Sequence, residues 1–112
     1  MLKAMKEMGY DNPMPVQEDV IPYLFGKGND VVALAQTGTG NTAAFGLPLI
    51  QKVDVKHRAP QALILCPTRE LCLQIAGDLN DYSKYIDGLK MLPVYGGSSI
   101  DSQIRMFKTG VH

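Results

Sequence analysis

Apolar positions along this chain alternate between helical spacing and short unbroken runs, and that alternation outlines a layered fold. Leu2, Met5 and Met8 mark one face of a short helix that Gly9 can end. Pro13 and Pro15 force an extended or turning stretch. Val16, Val20, Ile21 and Leu24 then resume helical spacing, with Pro22 expected to kink or shorten the helix. Lys27 to Asp30 is turn chemistry. Three apolar runs read as buried strands, at 31–35, 62–66 and 90–95, the last interrupted by Pro93 and so expected near a sheet edge. A helix is expected after each. The first spans 41–53 and carries Phe45, Leu49 and Val53. The second runs from 69 to about 86, where Leu71, Ile75, Leu79, Tyr82 and Ile86 form one stripe. The third is marked by Ile100, Ile104 and Phe107 and stopped by Gly110. Helix, helix, then βαβαβα predicts an α/β domain whose parallel sheet is flanked by helices. Val111-His112 reads as the first step of a further strand.

The densest chemistry lies between the first strand and its helix. Residues 35–42 are Ala-Gln-Thr-Gly-Thr-Gly-Asn-Thr, the layout of a phosphate-binding loop. Small residues let successive backbone N–H groups turn inward around a polyphosphate. The helix start adds unpaired N–H groups and partial positive charge. Thr42 is placed to ligate magnesium. Asn41 stands where such loops carry a Lys that reaches the β- and γ-phosphates. An amide brings no charge there, so weakened ATP binding and near-abolished hydrolysis are expected.

Two further segments add to this loop. In Gly9-Tyr10-Asp-Asn-Pro-Met-Pro-Val-Gln17, the Gln side chain offers one donor and one acceptor that match the N6/N7 edge of adenine, and Tyr10 offers a stacking face. A lone Gln at a helix start is ordinarily just solvated; the phosphate loop downstream gives this one a partner. Pro67-Thr68-Arg69-Glu70-Leu71 opens the long helix with Thr68 as N-cap. It suits either a nucleic-acid phosphate or an ordinary capped helix with a surface ion pair. Gly96-Gly97 is a turn whose amides could approach another phosphate. His57 and His112 are assigned no role, and Tyr82 and Tyr85 read as helix packing.

Bulk properties set the limits. At 112 residues there is room for one domain, and 11 basic against 11 acidic residues leave no net charge to attract nucleic acid. Cys66 and Cys72 are too few for a disulfide framework or a zinc site and read as reduced thiols at or near the core. The N-terminus lacks the apolar stretch of a secretory signal, and no run approaches a membrane span, so a cytoplasmic setting without membrane contact is expected.

Taken together, these segments resemble the N-terminal part of the first RecA-like lobe of DEAD-box ATP-dependent RNA helicases, over essentially the whole chain. Residues 9–17 look like the adenine-reading Q motif, 35–42 like motif I, 67–71 like motif Ia, and Gly96-Gly97 like the family's GG element. The resemblance implies an incomplete RecA-like P-loop NTPase lobe spanning 1–112, with ATP and Mg2+ as cofactors and RNA as partner. It would have Tyr10 stack on adenine and the Asn12 backbone and Gln17 side chain read its edge. Ala35, Gln36, Thr37, Gly38, Thr39, Gly40, Asn41 and Thr42 would hold the phosphates, with Thr42 on the metal. Pro67, Thr68, Arg69 and Gly97 would touch the RNA sugar–phosphate backbone, without base preference.

No catalytic residue is assigned. The DEAD box, the Ser-Ala-Thr motif and the second lobe that complete such a core would lie beyond His112. The chain alone is therefore expected to be inactive, and unstable or prone to associate through unpaired strand edges. A non-hydrolysing adenine-nucleotide or RNA-binding module, and another P-loop enzyme such as a DNA helicase, are the rival readings.

Overall fold

The computed structural model describes residues 1–26, 28 and 30–112; of the expected turn at 27–30, Lys27 and Asn29 lie outside the described residues. Among the described residues five helices follow in order: α1 (Leu2–Glu7), α2 (Pro15–Phe25), α3 (Asn41–Lys52), α4 (Arg69–Tyr82) and α5 (Ile100–Lys108). Each begins where the local chemistry allows it. Pro15 occupies the first turn of α2, where its missing N–H costs nothing. Gly40 precedes α3 in the left-handed region at φ 83°, which favours a residue without Cβ. Thr68 caps α4, its hydroxyl accepting from the Leu71 N–H at 3.2 Å, and Ser99 caps α5 through the Ser102 N–H at 3.3 Å.

α3 is the centre of the molecule. It packs against α2 on one side and α4 on the other, and α1 also lies on α4. Ala43, Leu47 and Ile50 of α3 meet Leu79 and Tyr82 of α4 in the buried core, with Met1, Met5, Tyr10, Ile21 and Ile75 packed against it. Gly46 permits the close approach of α3 and α4: a Cβ there would stand 2.5 Å from Leu79 Cδ2. Tyr82, 2% exposed, meets Tyr10 edge-on with ring centroids 6.1 Å apart, and the two hydroxyls are 3.3 Å apart. Burial, and then the neighbouring Tyr10 hydroxyl, push the Tyr82 hydroxyl far up from its ordinary value, so it stays protonated.

Several helix faces differ from expectation. In α1, Leu2 is 78% exposed and Met8 is also exposed, while Ala4 is buried and Met1 and Met5 reach the core. The i, i+3, i+4 stripe is thus turned by one position. In α3 the expected face of Phe45, Leu49 and Val53 is only half-buried. This helix is apolar nearly all round, so spacing could not choose its inner face. α4 stops at Tyr82, not near 86, because the Ser83 hydroxyl turns back to the Leu79 carbonyl at 2.8 Å and competes with the helical pattern. α2 runs through Pro22 without ending there.

The larger difference concerns the sheet. Among the described residues there is no β-strand: 31–35, 62–66 and 90–95 carry no ladder. Their burial still shows the expected geometry in part. Ala62, Ile64 and Cys66 are half-buried while Leu63 and Leu65 between them are 83% and 85% exposed, a period of two. Val32 and Leu34 are 89% and 95% exposed. The run at 31–35 therefore has no apolar cover on its outer side.

One residue links the other two segments. His112, 8% exposed, accepts through its carbonyl from the N–H groups of Gln61 (2.6 Å) and Ala62 (3.1 Å) and donates its own N–H to the Lys90 carbonyl (3.0 Å). Its ring Nδ1 accepts from the Lys90 N–H at 3.1 Å, leaving Nε2–H to donate to the Val55 carbonyl at 3.1 Å. His112 therefore sits between the two segments like the first rung of a strand, in line with the sequence reading of Val111-His112. Beyond it lies an apolar cavity of about 560 Å³ between 62–66 and 91–95, above Ile50, Ile75 and Leu79.

A compact monomer of this mass exposes roughly 6,100 Å², whereas this chain exposes 8008 Å². Exposed apolar side chains such as Val32, Leu34, Leu63 and Leu65 contribute to the excess. Concentration-dependent association and binding of a hydrophobic dye are expected of the isolated chain, both reduced by Leu63→Lys with Leu65→Lys; a dye-free monomer with a cooperative melt would contradict this. Leu79→Ala, at the α3–α4 contact, should cost about 2–5 kcal/mol of stability in urea unfolding followed by helical circular dichroism.

Candidate functional site

The expected base-reading segment and the expected phosphate loop meet. Gln17, in the first turn of α2, is 3% exposed, and its Nε2 donates to the Gly40 carbonyl at 3.2 Å. Its Oε1 accepts from the Met14 N–H at 3.0 Å, forming the half of a capping box that a Met N-cap leaves possible. Gln17 is therefore not a solvated helix-start residue. It clasps the start of α2 to the turn that launches α3, and a Cβ at Gly40 would collide with it. The amide keeps one further N–H and one further lone pair.

The loop itself is open to solvent. Gln36, Thr37 and Gly38 are exposed, and Thr39, Gly40, Asn41 and Thr42 are half-buried. Gly38 and Gly40 both adopt left-handed φ, at 78° and 83°, and nothing lies within 4 Å of a Cβ placed at Gly38. α3 has no side-chain cap. Its first-turn N–H groups, which no intrahelical carbonyl can take, therefore face the loop as anion-ready donors. Asn41 Nδ2 donates to the Gln36 carbonyl at 3.2 Å, the Thr39 hydroxyl donates to that carbonyl at 2.6 Å, and the Thr39 hydroxyl lies 3.4 Å from Asn41 Oδ1.

Tyr10 stands apart from this clasp in its contacts. Its half-buried ring stands perpendicular to that of Tyr82, the two hydroxyls are 3.3 Å apart, and Asn12 is exposed. No group of three His, Cys, Asp or Glu able to hold a metal exists among the described residues, and Thr42 lies half-buried in the first turn of α3.

The second expected cluster also comes together. Pro67, Thr68 and Arg69 are exposed at the start of α4, and Gly97 lies against Arg69: a Cβ there would stand 2.6 Å from Arg69 Nη1. Gly97 is at φ 88° in the turn after Tyr95, which Gln103 pins through its carbonyl and N–H at 3.1 and 3.2 Å. A guanidinium, a capped helix start and a bare turn thus share one exposed surface. It lies at one end of the 560 Å³ cavity, which does not extend to residues 35–42.

Sequence reasoning missed Gln17's role as a clasp and the ring contacts of His112. A Gln three residues past an N-cap was a signal for the first. His112 gave none, because its partners at 55, 61, 62 and 90 are remote in sequence. Cys66 and Cys72 are free and half-buried as expected, and burial, then the neighbouring Cys72, push the Cys66 thiol up.

Gln17→Ala leaves the Met14 N–H and the Gly40 carbonyl without this partner, at a cost of about 1–3 kcal/mol. Amide exchange at 40–44 should accelerate, with Gln17→Glu intermediate because it keeps only the acceptor. Unchanged exchange in both variants would remove the clasp.

The family model for DEAD/DEAH box helicases matches residues 14–112. The "ATP-dependent RNA helicase DeaD" of Escherichia coli is 46% identical over 98% of this chain, and the match spans 17% of that protein. Among solved structures, a DEAD box protein from the hyperthermophile Methanococcus jannaschii superposes with a TM-score of 0.91 at 37% identity, over 98% of this chain and 30% of that one. The RNA-helicase Prp28 from Chaetomium thermophilum bound to ADP gives 0.84 at 36% identity, over 97% and 27%. The backbone path, the clasped loop and the sequence match agree: this chain belongs to the DEAD-box helicase family.

Proposed function

We propose that this chain is the adenine-nucleotide-binding portion of an ATP-dependent RNA helicase, whose whole protein couples ATP hydrolysis to unwinding or remodelling of RNA duplexes. The observation that supports this most is the Gln17–Gly40 hydrogen bond, which joins a base-reading side chain to a phosphate loop at 3.2 Å. A shared pocket for base and phosphates requires that junction. In this reading residues 1–112 are part of a RecA-like ATP-binding domain with a Q motif at 9–17, motif I at 35–42 and motif Ia at 67–71. Residues 31–35, 62–66 and 90–95 are strands of its parallel sheet.

The roles follow from the groups present. Gln17 offers its second N–H and second lone pair to the adenine edge, with Tyr10 as the adjoining ring and the Asn12 backbone beside it. The loop from Ala35 to Thr42 wraps the phosphates with backbone amides, and the uncapped start of α3 adds its partial charge. Thr42 would hold Mg2+, which when bound neutralises charge on the phosphates. Pro67, Thr68, Arg69 and Gly97 bind the RNA sugar–phosphate backbone, a mode that needs little net charge and reads no sequence.

Asn41 favours a second reading, a binding module that no longer hydrolyses. The loop from 35 to 42 contains no ionisable side chain, so nothing in it offsets the charge that develops on the transferring phosphoryl group. The chain by itself binds without turning over.

In a full-length protein carrying this segment, Asn41→Lys should raise RNA-stimulated ATP hydrolysis by at least ~100-fold. An unchanged rate supports the binding module. RNA and not DNA should stimulate ATP hydrolysis, and GTP should not replace ATP; the reverse preferences would point to a different P-loop enzyme.

A further inference from the structure

Asn41 does more than lack a charge. It opens α3, the position from which a side chain can reach toward the distal phosphates of a ligand in the loop. Its Nδ2 turns back instead to the Gln36 carbonyl at 3.2 Å, which also takes the Thr39 hydroxyl at 2.6 Å. With Thr39 Oγ1 lying 3.4 Å from Asn41 Oδ1, residues 36–41 close into a ring by their own side chains. The adenine end of the site is organised differently. Gln17 is 3% exposed, held from two sides, and retains spare hydrogen-bonding capacity. One end is therefore preorganised and selective, and the other is self-bonded, solvent-exposed and uncharged.

We infer that this site recognises the adenosine part of its ligand and is almost blind to the number of phosphates attached. This rests on the adenine-nucleotide reading above. The physical reason is the imbalance of charge along the site. Each added phosphate brings negative charge to a loop that answers only with amides and a partial helix charge, both screened by the water around Thr37 and Gly38. The side chain that would reward a second and third phosphate is bonded to the loop's own backbone. Adenosine monophosphate, diphosphate and triphosphate should consequently compete for one site on similar terms, and the chain should report adenylate in total, not its energy charge.

The test is competition binding to a full-length protein carrying this segment, with adenosine, AMP, ADP and ATP at constant Mg2+ and ionic strength, and guanosine and GTP beside them. Wild type should bind AMP, ADP and ATP within about threefold of one another and all of them at least ~10-fold more tightly than GTP. Asn41→Ala unties the ring without adding charge. It should keep the flat series while amide exchange at 36–41 quickens. Asn41→Lys should turn the series steep, ATP exceeding AMP by at least ~10-fold, and make ATP binding strongly salt-dependent. Asn41→Arg serves as a second cationic variant should the lysine form lose its helical signal.

A wild-type chain that binds ATP ten times more tightly than AMP overturns the inference and leaves the adenine reading intact. So does a flat series in both cationic variants with native helical content. Equal binding of adenosine and guanosine compounds, or none at all, overturns the adenine reading and this inference with it.

Discussion

The junction between α2 and α3 depends on the two amide atoms of Gln17. One accepts from the N–H that opens α2, the other donates to the carbonyl of the glycine that launches α3. A short amide side chain, nearly excluded from water, thus fixes the distance between two segments well separated in sequence. Burying such a group unpaired would be costly, and here both ends are paired. The placement of the 36–42 loop beside α2 inherits its geometry from that pairing. The left-handed Gly40 and the uncapped start of α3 matter because Gln17 holds them beside α2.

How much of this the sequence disclosed depends on the range of the interactions involved. Some helix starts were legible because caps are local: Thr68 bonds within three residues and Gly40 acts through its own backbone, whereas the Ser99 cap went unread and Pro15, expected in an extended or turning stretch, opens α2. Helix faces were less so. α3 is apolar around most of its circumference, and its inner side was selected by the approach of Leu79 to Gly46, a contact invisible to spacing. Ser83 ended α4 early by a bond to a carbonyl four residues back, which the apolar stripe running on to Ile86 concealed.

The missing ladder has the same origin. A strand's hydrogen bonds belong to its neighbours, so an apolar run can announce a strand without supplying what pairs with it. Residues 62–66 adopt the alternating burial of a strand, and His112 bonds to Gln61 and Ala62 on one side and to Lys90 on the other, while no ladder forms among the described residues. The superposition on a solved DEAD box protein at a TM-score of 0.91 shows that the chain path agrees with the family even where the pairing is absent. Of the site, the motif positions were legible and their mutual bonds were not: the Asn41–Gln36 and Thr39–Gln36 contacts depend on a loop conformation that only the folded chain specifies.

Arg69 and Gly97 show what a residue without a side chain can do for a distant one. The guanidinium rests over bare peptide, where even a methyl group would intrude. The turn therefore acts as a seat that sets how far the cation leans from α4. A side chain at the seat would displace the arm without altering its chemistry, and the φ of 88° already reserves that position for a residue without Cβ.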